Sequence, residues 1–544
     1  MKRMFSLLIA VLMLLLFASC EQTPSDSSST AGSQNESSDI SSDISSESSE
    51  QSENPSSEDE RYADMVAREE VVLGKMSFGK VFYRAAQVTD IYLVDITQED
   101  EETVATLRSL QGLVARNYGG AIFLDDGSTA SQFWLEYCST EYGLYFKKAT
   151  PAETVKHFSK YIKGAVEYSP DVSYEHTVAQ NIAIQSDYVT VTGLSVSLVN
   201  SALTNKPLID IRGLFKDKKS AYDYIMEKCL PTSSTRYLGL LSEDAAFFDY
   251  AYAVKALVLN LDFSESWETE MLSLLIGRPD WNDTAYVFTD HTVSSALANV
   301  FSADGFAVIN MGSFSNSTVF SSASIEYNRH YASYENRALS ESRIYASLYY
   351  NIESAADIQQ TAYMVWSHKS EALSLSLEFY PIMYELAPPI AKWYRQNLTT
   401  NDMLVSADLG CGTANLSLMD EETALKFRQN NEYFLNVCDI TVVSDSDHLY
   451  TAEEYYSQFD GLLVTEPSNT VNGVMRFTDT AGFENWLKSA TPMQSSPMYF
   501  LIELPHTAFS GEDIGALSTI ITETLRERKG VFEFVLTENI LLYM

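Results

Sequence analysis

The chain has 544 residues, a formal net charge of −38 and 45% hydrophobic residues, a length that allows several domains with full cores. No basic patch or stripe offsets this acidity, which excludes nucleic acid as a natural partner, because phosphate contacts need clustered Lys and Arg. Apart from Cys20, the cysteines are Cys138, Cys229, Cys411 and Cys438, with no CxxC and no Cys/His cluster of zinc spacing, and His330 and His368 stand alone. No metal or cofactor is therefore expected, while a disulfide between Cys411 and Cys438 stays open in an oxidising location.

At the N-terminus, Lys2 and Arg3 precede an apolar run from Met4 to Leu16 and then Phe17-Ala18-Ser19-Cys20. This pattern reads as a secretory signal, shorter than the ~20 residues of a bilayer span. Ala18 and Ser19 before the cysteine resemble the lipobox of bacterial lipoproteins. That resemblance implies loss of residues 1–19, lipidation of Cys20 and anchoring to the outer face of a bacterial cell membrane. From Glu21 to Glu60 there are 16 serines and 11 acidic residues with no Lys or Arg. Such a composition cannot bury enough apolar surface to offset its ordering entropy, so residues 20–62 are expected to form an extended tether. Removing Lys2, Arg3 and these eleven acids from the total leaves −29 on the body, where net charge serves solubility.

After a polar lead-in helix over Asp64–Glu70, the body alternates strand and helix. Ile91–Val94 is a strand ending at Asp95, Glu101–Arg116 a helix, and Ala121–Leu124 a strand ending at Asp125-Asp126-Gly127. A helix from about Ser128 shows an apolar face at Phe133, Trp134 and Tyr137. Further strands are expected at Val189–Thr192, Ala256–Leu259, Ala285–Phe288 and Ala307–Ile309, with helices around Ser220–Met226 and Trp267–Leu275. Asp290 and His291 sit just past a strand end, where Asp290 suits either substrate binding or the N-cap of a helix near Val293. Asn336–Glu341 reads as a hinge. Beyond it come a strand at Ile344–Tyr350, a helix carrying Tyr363 and Trp366, and Leu373–Phe379, whose Leu/Ser alternation predicts a half-buried strand leading to Tyr380. The tail adds strands at Gly461–Val464, Tyr499–Glu503 and Val531–Val535, and helices at Gly482–Lys488 and Glu512–Arg528. Alternating elements predict parallel α/β structure: an N-terminal doubly wound-like region over 63–338, of one or two subdomains, and a C-terminal α/β domain of barrel-like type over 339–544.

The densest clustering of turn residues and charge is Leu404–Asp447. It reads as a strand, a glycine turn at Asp408-Leu409-Gly410-Cys411-Gly412-Thr413, a helix from Ser417, and a β-branched run at Ile440–Val443 followed by Asp445 and Asp447. The turn looks like the first glycine motif of methyltransferases. Ala414 in place of a third glycine, the distance to Asp445, and export of the chain all oppose that reading.

Taken together, the body resembles the family of candidate glycoside hydrolases named for its G-x-G-Y-x-Y-P motif. Leu110–Arg116, Ala121–Leu124 and Phe133-Trp134-Leu135 resemble its N-terminal signature. Phe248–Ala251, Ala253–Ala256 and Leu261-Asp262 fit its middle section. Pro381, Glu385–Pro388 and Asn401-Asp402 lead to the name motif, and Asn431–Tyr433, Cys438-Asp439 and Val442-Val443 follow it. At that motif only Gly410 and Gly412 are retained, with Thr413, Asn415 and Leu416 where Tyr, Tyr and Pro are expected. An S-D-G-D-N run of the family appears as Glu353-Ser354-Ala355-Ala356-Asp357, so both family aspartates are replaced, by Ser354 and Ala356. Either Glu353 and Asp357 substitute from one position away or the site is degenerate. The resemblance implies hydrolysis of a glycan by two carboxyl groups, one acid and one base or nucleophile. Glu353, Asp357, Glu378 and Asp408 are the candidates for catalysis, and Asp290, Trp366, Tyr380, Gly410, Gly412 and Asn415 those for substrate binding. The competing class is a noncatalytic surface lipoprotein that binds a glycan or partner through a glycosidase-like cleft.

Overall fold

The structure, a computed structural model, describes residues 68–325, 339–370, 373–444, 449–450, 454–455, 457, 462–464 and 473–541. The signal, Cys20, the tether, His330, Asp445, Asp447 and half of the expected hinge, residues 336–338, lie outside them. The described residues fall in two compact units, 262–279, and 68–261 with 280–541. In the first, the Glu268 carboxylate on helix Ser266–Ile276 accepts the Asp262 amide at 2.7 Å and shapes the turn before the helix.

The larger unit is built from parallel sheets. Strands β1 (Asp90–Asp95), β2 (Ile122–Asp125) and β3 (Tyr145–Ala149) form one, in the order β2-β1-β3. Strands β4 (Gly164–Glu167), β5 (Tyr188–Val191) and β6 (Leu208–Asp210) form a second, with β4 central. A third runs β8-β7-β9-β10, where β7 is Tyr237–Leu240, β8 Leu257–Leu259, β9 Ala285–Thr289 and β10 Phe306–Asn310. Helix α1 (Glu101–Asn117) starts at Asp100, whose side chain accepts the Thr103 amide, the oxygen-capped geometry that favours Asp at this position. Its Leu107, Leu110, Leu113 and Val114 enter the core. Gly112 is obligatory for packing, since a Cβ there would sit 2.5 Å from the Asp249 carbonyl oxygen.

The fourth sheet holds eight parallel strands and curls into a half-barrel. Its strands are β11 (Ile344–Asn351), β12 (Leu375–Phe379), β13 (Asp402–Ser406), β14 (Val442–Ser444), β15 (Leu462–Val464), β16 (Gly473–Arg476), β17 (Met498–Pro505) and β18 (Phe532–Phe534), in the order β15-β14-β13-β12-β11-β17-β16. One edge of β11 is shared: β18 pairs with Ile344–Ala346 and β12 with Leu348–Tyr350. Ile344, Ala346, Leu348, Tyr350, Leu377 and Phe379 point into the main core with the crossover helices. Tyr349, Met403, Val405, Val442 and Leu501 occupy the opposite, inner face with Leu536, and the Thr537 hydroxyl bonds Ser347 and Ser376 there.

Two local expectations change. β12 is buried along its whole length rather than half-buried, because Ser376 faces this filled interior and not water. The helix expected from Ser417 is α2, Glu421–Cys438, with Asp420 as its cap; Ser417 lies in the preceding short turn, where its hydroxyl bonds Asn415. All four described cysteines are free and buried, so Cys411 and Cys438 are not bridged.

Candidate functional site

Parallel strands deliver their C-terminal ends to one rim, and α/β folds place chemistry there. At the rim of the half-barrel stand the residues after β11, β12, β13 and β17. The third sheet closes against the same rim. Asn310, the last residue of β10, donates its side-chain amide to the Glu353 carbonyl at 2.9 Å, and the Ala356 amide bonds the Met311 carbonyl. The glycine turn is part of this seam. Val308 and Thr413 exchange backbone bonds of 2.8 and 2.9 Å, and Gly410 and Gly412 have φ of 119° and 121°. A Cβ on Gly412 would meet the Val308 oxygen at 3.0 Å, and one on Gly410 the Asn431 carbonyl oxygen at 2.9 Å. Both glycines thus admit the close approach of neighbouring backbone.

Glu378 lies on the inner face at 1% exposure. One carboxyl oxygen accepts the Tyr349 hydroxyl, and the other accepts the Ile352 amide at 2.8 Å. Burial pushes its pKa up to about 7; hydrogen bonds from Tyr349, Ile352 and Ser444 pull the other way, and the charge of Glu503 adds to the rise. Burial, followed by Glu378 itself, likewise holds the Tyr349 hydroxyl well above its ordinary value. Glu503, half-buried on β17, is in register with Tyr349 and so shares the inner face. It was not among the sequence candidates. The available signal was a second strand, Tyr499–Glu503, ending on a carboxylate.

The other expected groups divide clearly. Glu353 is exposed at the rim, and its backbone carbonyl accepts the Tyr380 hydroxyl at 3.2 Å. Asp357 closes a capping box, accepting the Glu353 amide at 3.0 Å and the Ser354 amide at 2.8 Å, while its other oxygen lies 3.5 Å from His506 Nε2. Asp408 is buried and accepts the Gly410 amide at 2.8 Å within its own turn. Trp366 is buried with its Nε1 on the Asn397 carbonyl. Asn415 donates to Asn299 and to the Leu449 carbonyl. Asp290 does not cap the following helix, whose cap is Ser294. It receives the Ser242 amide and hydroxyl and the His291 ring. Burial alone would raise its pKa, but those bonds outweigh it and the net shift is downward. Rim and inner face therefore gather Glu353, Asp357, Glu378, Tyr380 and Asp408, with Glu503 and His506, whereas Trp366, Asn415 and the two glycines make the internal contacts given above. Among the described residues no group of three or more His, Cys, Asp or Glu is placed to hold a metal ion.

This architecture, parallel sheets joined to a curled half-barrel sheet, defines a mixed α/β class. Residues 90–160 match the family model described as GxGYxYP_N 1st domain, so the chain carries that domain, as its N-terminal signature implied. A crystal structure from Bacteroides thetaiotaomicron VPI-5482, described as a "putative hydrolase", superposes with a TM-score of 0.69 at 16% identity, covering 87% of this chain and 97% of that one. The two share a fold. No curated protein matches the chain.

Proposed function

We propose that the chain is an exported, lipid-anchored surface protein that hydrolyses glycosidic bonds at the rim of the half-barrel. The observation that carries this reading is Glu378, a carboxyl group kept protonated close to neutral pH by burial at the strand ends of a hydrolase-like fold. A general acid in a glycosidase needs that property, because it must hold a proton at working pH and release it to the leaving oxygen. Exposed Glu353 contributes a second carboxyl group in a wet environment, and unlike environments are what separate acid from base roles. The GxGYxYP_N match and the name of the Bacteroides relative support the same class.

Noncatalytic glycan binding is the second reading, and a specific observation favours it. Ser354 and Ala356, which replace the family aspartates, pack beneath Gly312, where a Cβ would meet Ser354 Oγ at 2.6 Å and Ala356 Cβ at 3.2 Å. Those positions are filled by packing rather than open to substrate. Release of reducing sugar from a panel of polysaccharides, by the full chain and by Glu378→Gln, separates the readings. Hydrolysis predicts turnover that the variant loses. Retention of a glycan without turnover identifies a binding protein, and equal turnover by both removes Glu378 from the mechanism.

A further inference from the structure

We infer that the face built by Tyr92, Tyr118, His157 and Tyr161 with Lys147 and Lys160, outside the half-barrel, is a binding surface for an acidic polysaccharide. It shares with the readings above only that the ligand is a glycan, and it adds the charge class of that glycan. Tyr145–Lys163 carries five lysines and one glutamate in a chain of net charge −38. The expectation of a body without a basic patch thus holds for its length but not for this face. Strand β3 and the helix Pro151–Phe158 bring these lysines against β1 and the end of α1. Lys147 is in register with Tyr92, and Tyr145 with Asp90, so all four share one side of the sheet. Lys147 Nζ lies 5.2 Å from the centre of the Tyr92 ring, and the His157 ring stacks on the same tyrosine at 4.5 Å. Tyr118 contacts the Phe158 ring and packs on Tyr161 at 5.9 Å, and Lys160 Nζ lies 4.7 Å over Tyr161.

Tyr145, Lys147, Lys156, His157 and Lys160 are exposed, as is Tyr118. Among the described residues, Lys147, Lys156 and Lys160 have no carboxylate at ion-pair distance, whereas neighbouring Lys163 is paired with Asp187. The acids on this side are Asp90 and Glu153, and Glu153 caps its own helix by accepting the Thr150 amide and hydroxyl. Burial lowers the pKa of His157, and the charges of Lys147 and Lys160 lower it further, so both ammonium groups act on one imidazole. An acidic polysaccharide supplies what this arrangement lacks: carboxylate or sulfate groups for the lysines, and ring faces for the aromatic side chains beside them. The body, at −29, repels a polyanion elsewhere and steers it to this face. A membrane fits less well. The exposed large side chains here are tyrosines, while Val155, Phe158 and Ile162 are buried and cannot insert between lipids.

The test measures retention of the full chain by polygalacturonate and by dextran sulfate in affinity electrophoresis, with neutral dextran as the control and no assay of turnover. Retention by the charged polymers, absent with dextran and weakening as salt rises, is the expected result. Lys147→Ala with Lys160→Ala should weaken it roughly 5–30-fold, the scale of two exposed ion pairs, and flatten the salt dependence. The matching pair of Arg substitutions should keep it. Tyr118→Ala should weaken retention severalfold and leave the salt dependence in place. No retention of the unaltered chain, equal retention by dextran, or full retention of the Ala pair overturns the assignment. Sedimentation with phosphatidylglycerol vesicles and gel shift of a DNA duplex run in parallel, and tighter binding to either overturns the glycan in favour of that partner. Because turnover is not read, failure here leaves hydrolysis at the rim standing, and failure of hydrolysis leaves this surface standing.

Discussion

Two buried glutamates on the same stretch of chain differ in what surrounds their carboxyl groups. Glu378 and Glu385 are each 1% exposed. Glu385 accepts three successive backbone amides, from Lys80 at 2.7 Å, Val81 at 3.0 Å and Phe82 at 2.8 Å, together with the Tyr433 hydroxyl at 3.2 Å. It clips the hairpin formed by Ser77–Phe78 and Tyr83–Arg84 to the half-barrel half of the unit. Glu378 receives one amide and the hydroxyls of Tyr349 and Ser444, beside the like charge of Glu503. Glu385 anchors backbone amides, whereas burial above all, with the like charge of Glu503 adding to it, favours the proton on Glu378.

The sharpest way to break that contrast is Glu385→Ala, which leaves three amides without their acceptor. Each unsatisfied buried donor costs about 1–3 kcal/mol, so a loss of at least about 3 kcal/mol is expected in urea unfolding. Glu378→Gln tests the other half through pH. The Glu378 pKa is about 7 in the fold against an ordinary value of 4.5. Below 4.5 both states hold the proton and there is no penalty. As pH rises from 4.5 to about 7 the unfolded state gives it up first, so stability falls by about 3 kcal/mol across that window and levels off above it. The Gln variant should flatten this fall in thermal midpoints measured from pH 4 to 8. Gly412→Ala should cost about 1–3 kcal/mol through its left-handed φ and the close Val308 oxygen, and it should weaken amide-exchange protection at Thr413. The smallest effect is expected from Ser354→Ala, about 1 kcal/mol for one capping box in the same unfolding assay.

The sequence exposed the strands with largely apolar runs: Ile91–Val94, Ala285–Phe288 and Ile344–Tyr350 fall within observed strands, and Ala121–Leu124 overlaps one that starts at Ile122. β3 and β6 were illegible. The first, YFKKA, sets two aromatics before two lysines without alternation, and the second is exposed along its length, so neither carries a burial pattern. The N-terminal family signature was legible, and its residues prove to be architectural. Gln111 donates to the Ile122 carbonyl and to Asn316, and Arg116 reaches the Tyr252 and Ile184 carbonyls and Asp187. At the rim, Glu378 was visible as a strand end. Glu503 was missed because its pairing with Tyr349 joins positions far apart in the chain, and only strand order puts them side by side. Asp408 and Asp357 looked catalytic for a reason that also makes them good caps: a carboxylate after a strand suits a turn as well as a substrate.

The divided edge of β11 governs when this protein can finish folding. Its lower half waits for Phe532–Phe534, so residues 347–531 must be made before the central strand of the half-barrel is fully paired. Long-range pairing of this kind is slow, and during synthesis Ile344–Ala346 present an open strand edge able to recruit other chains. A chain ending before Phe532 would keep that edge open, and aggregation would then be its dominant fate.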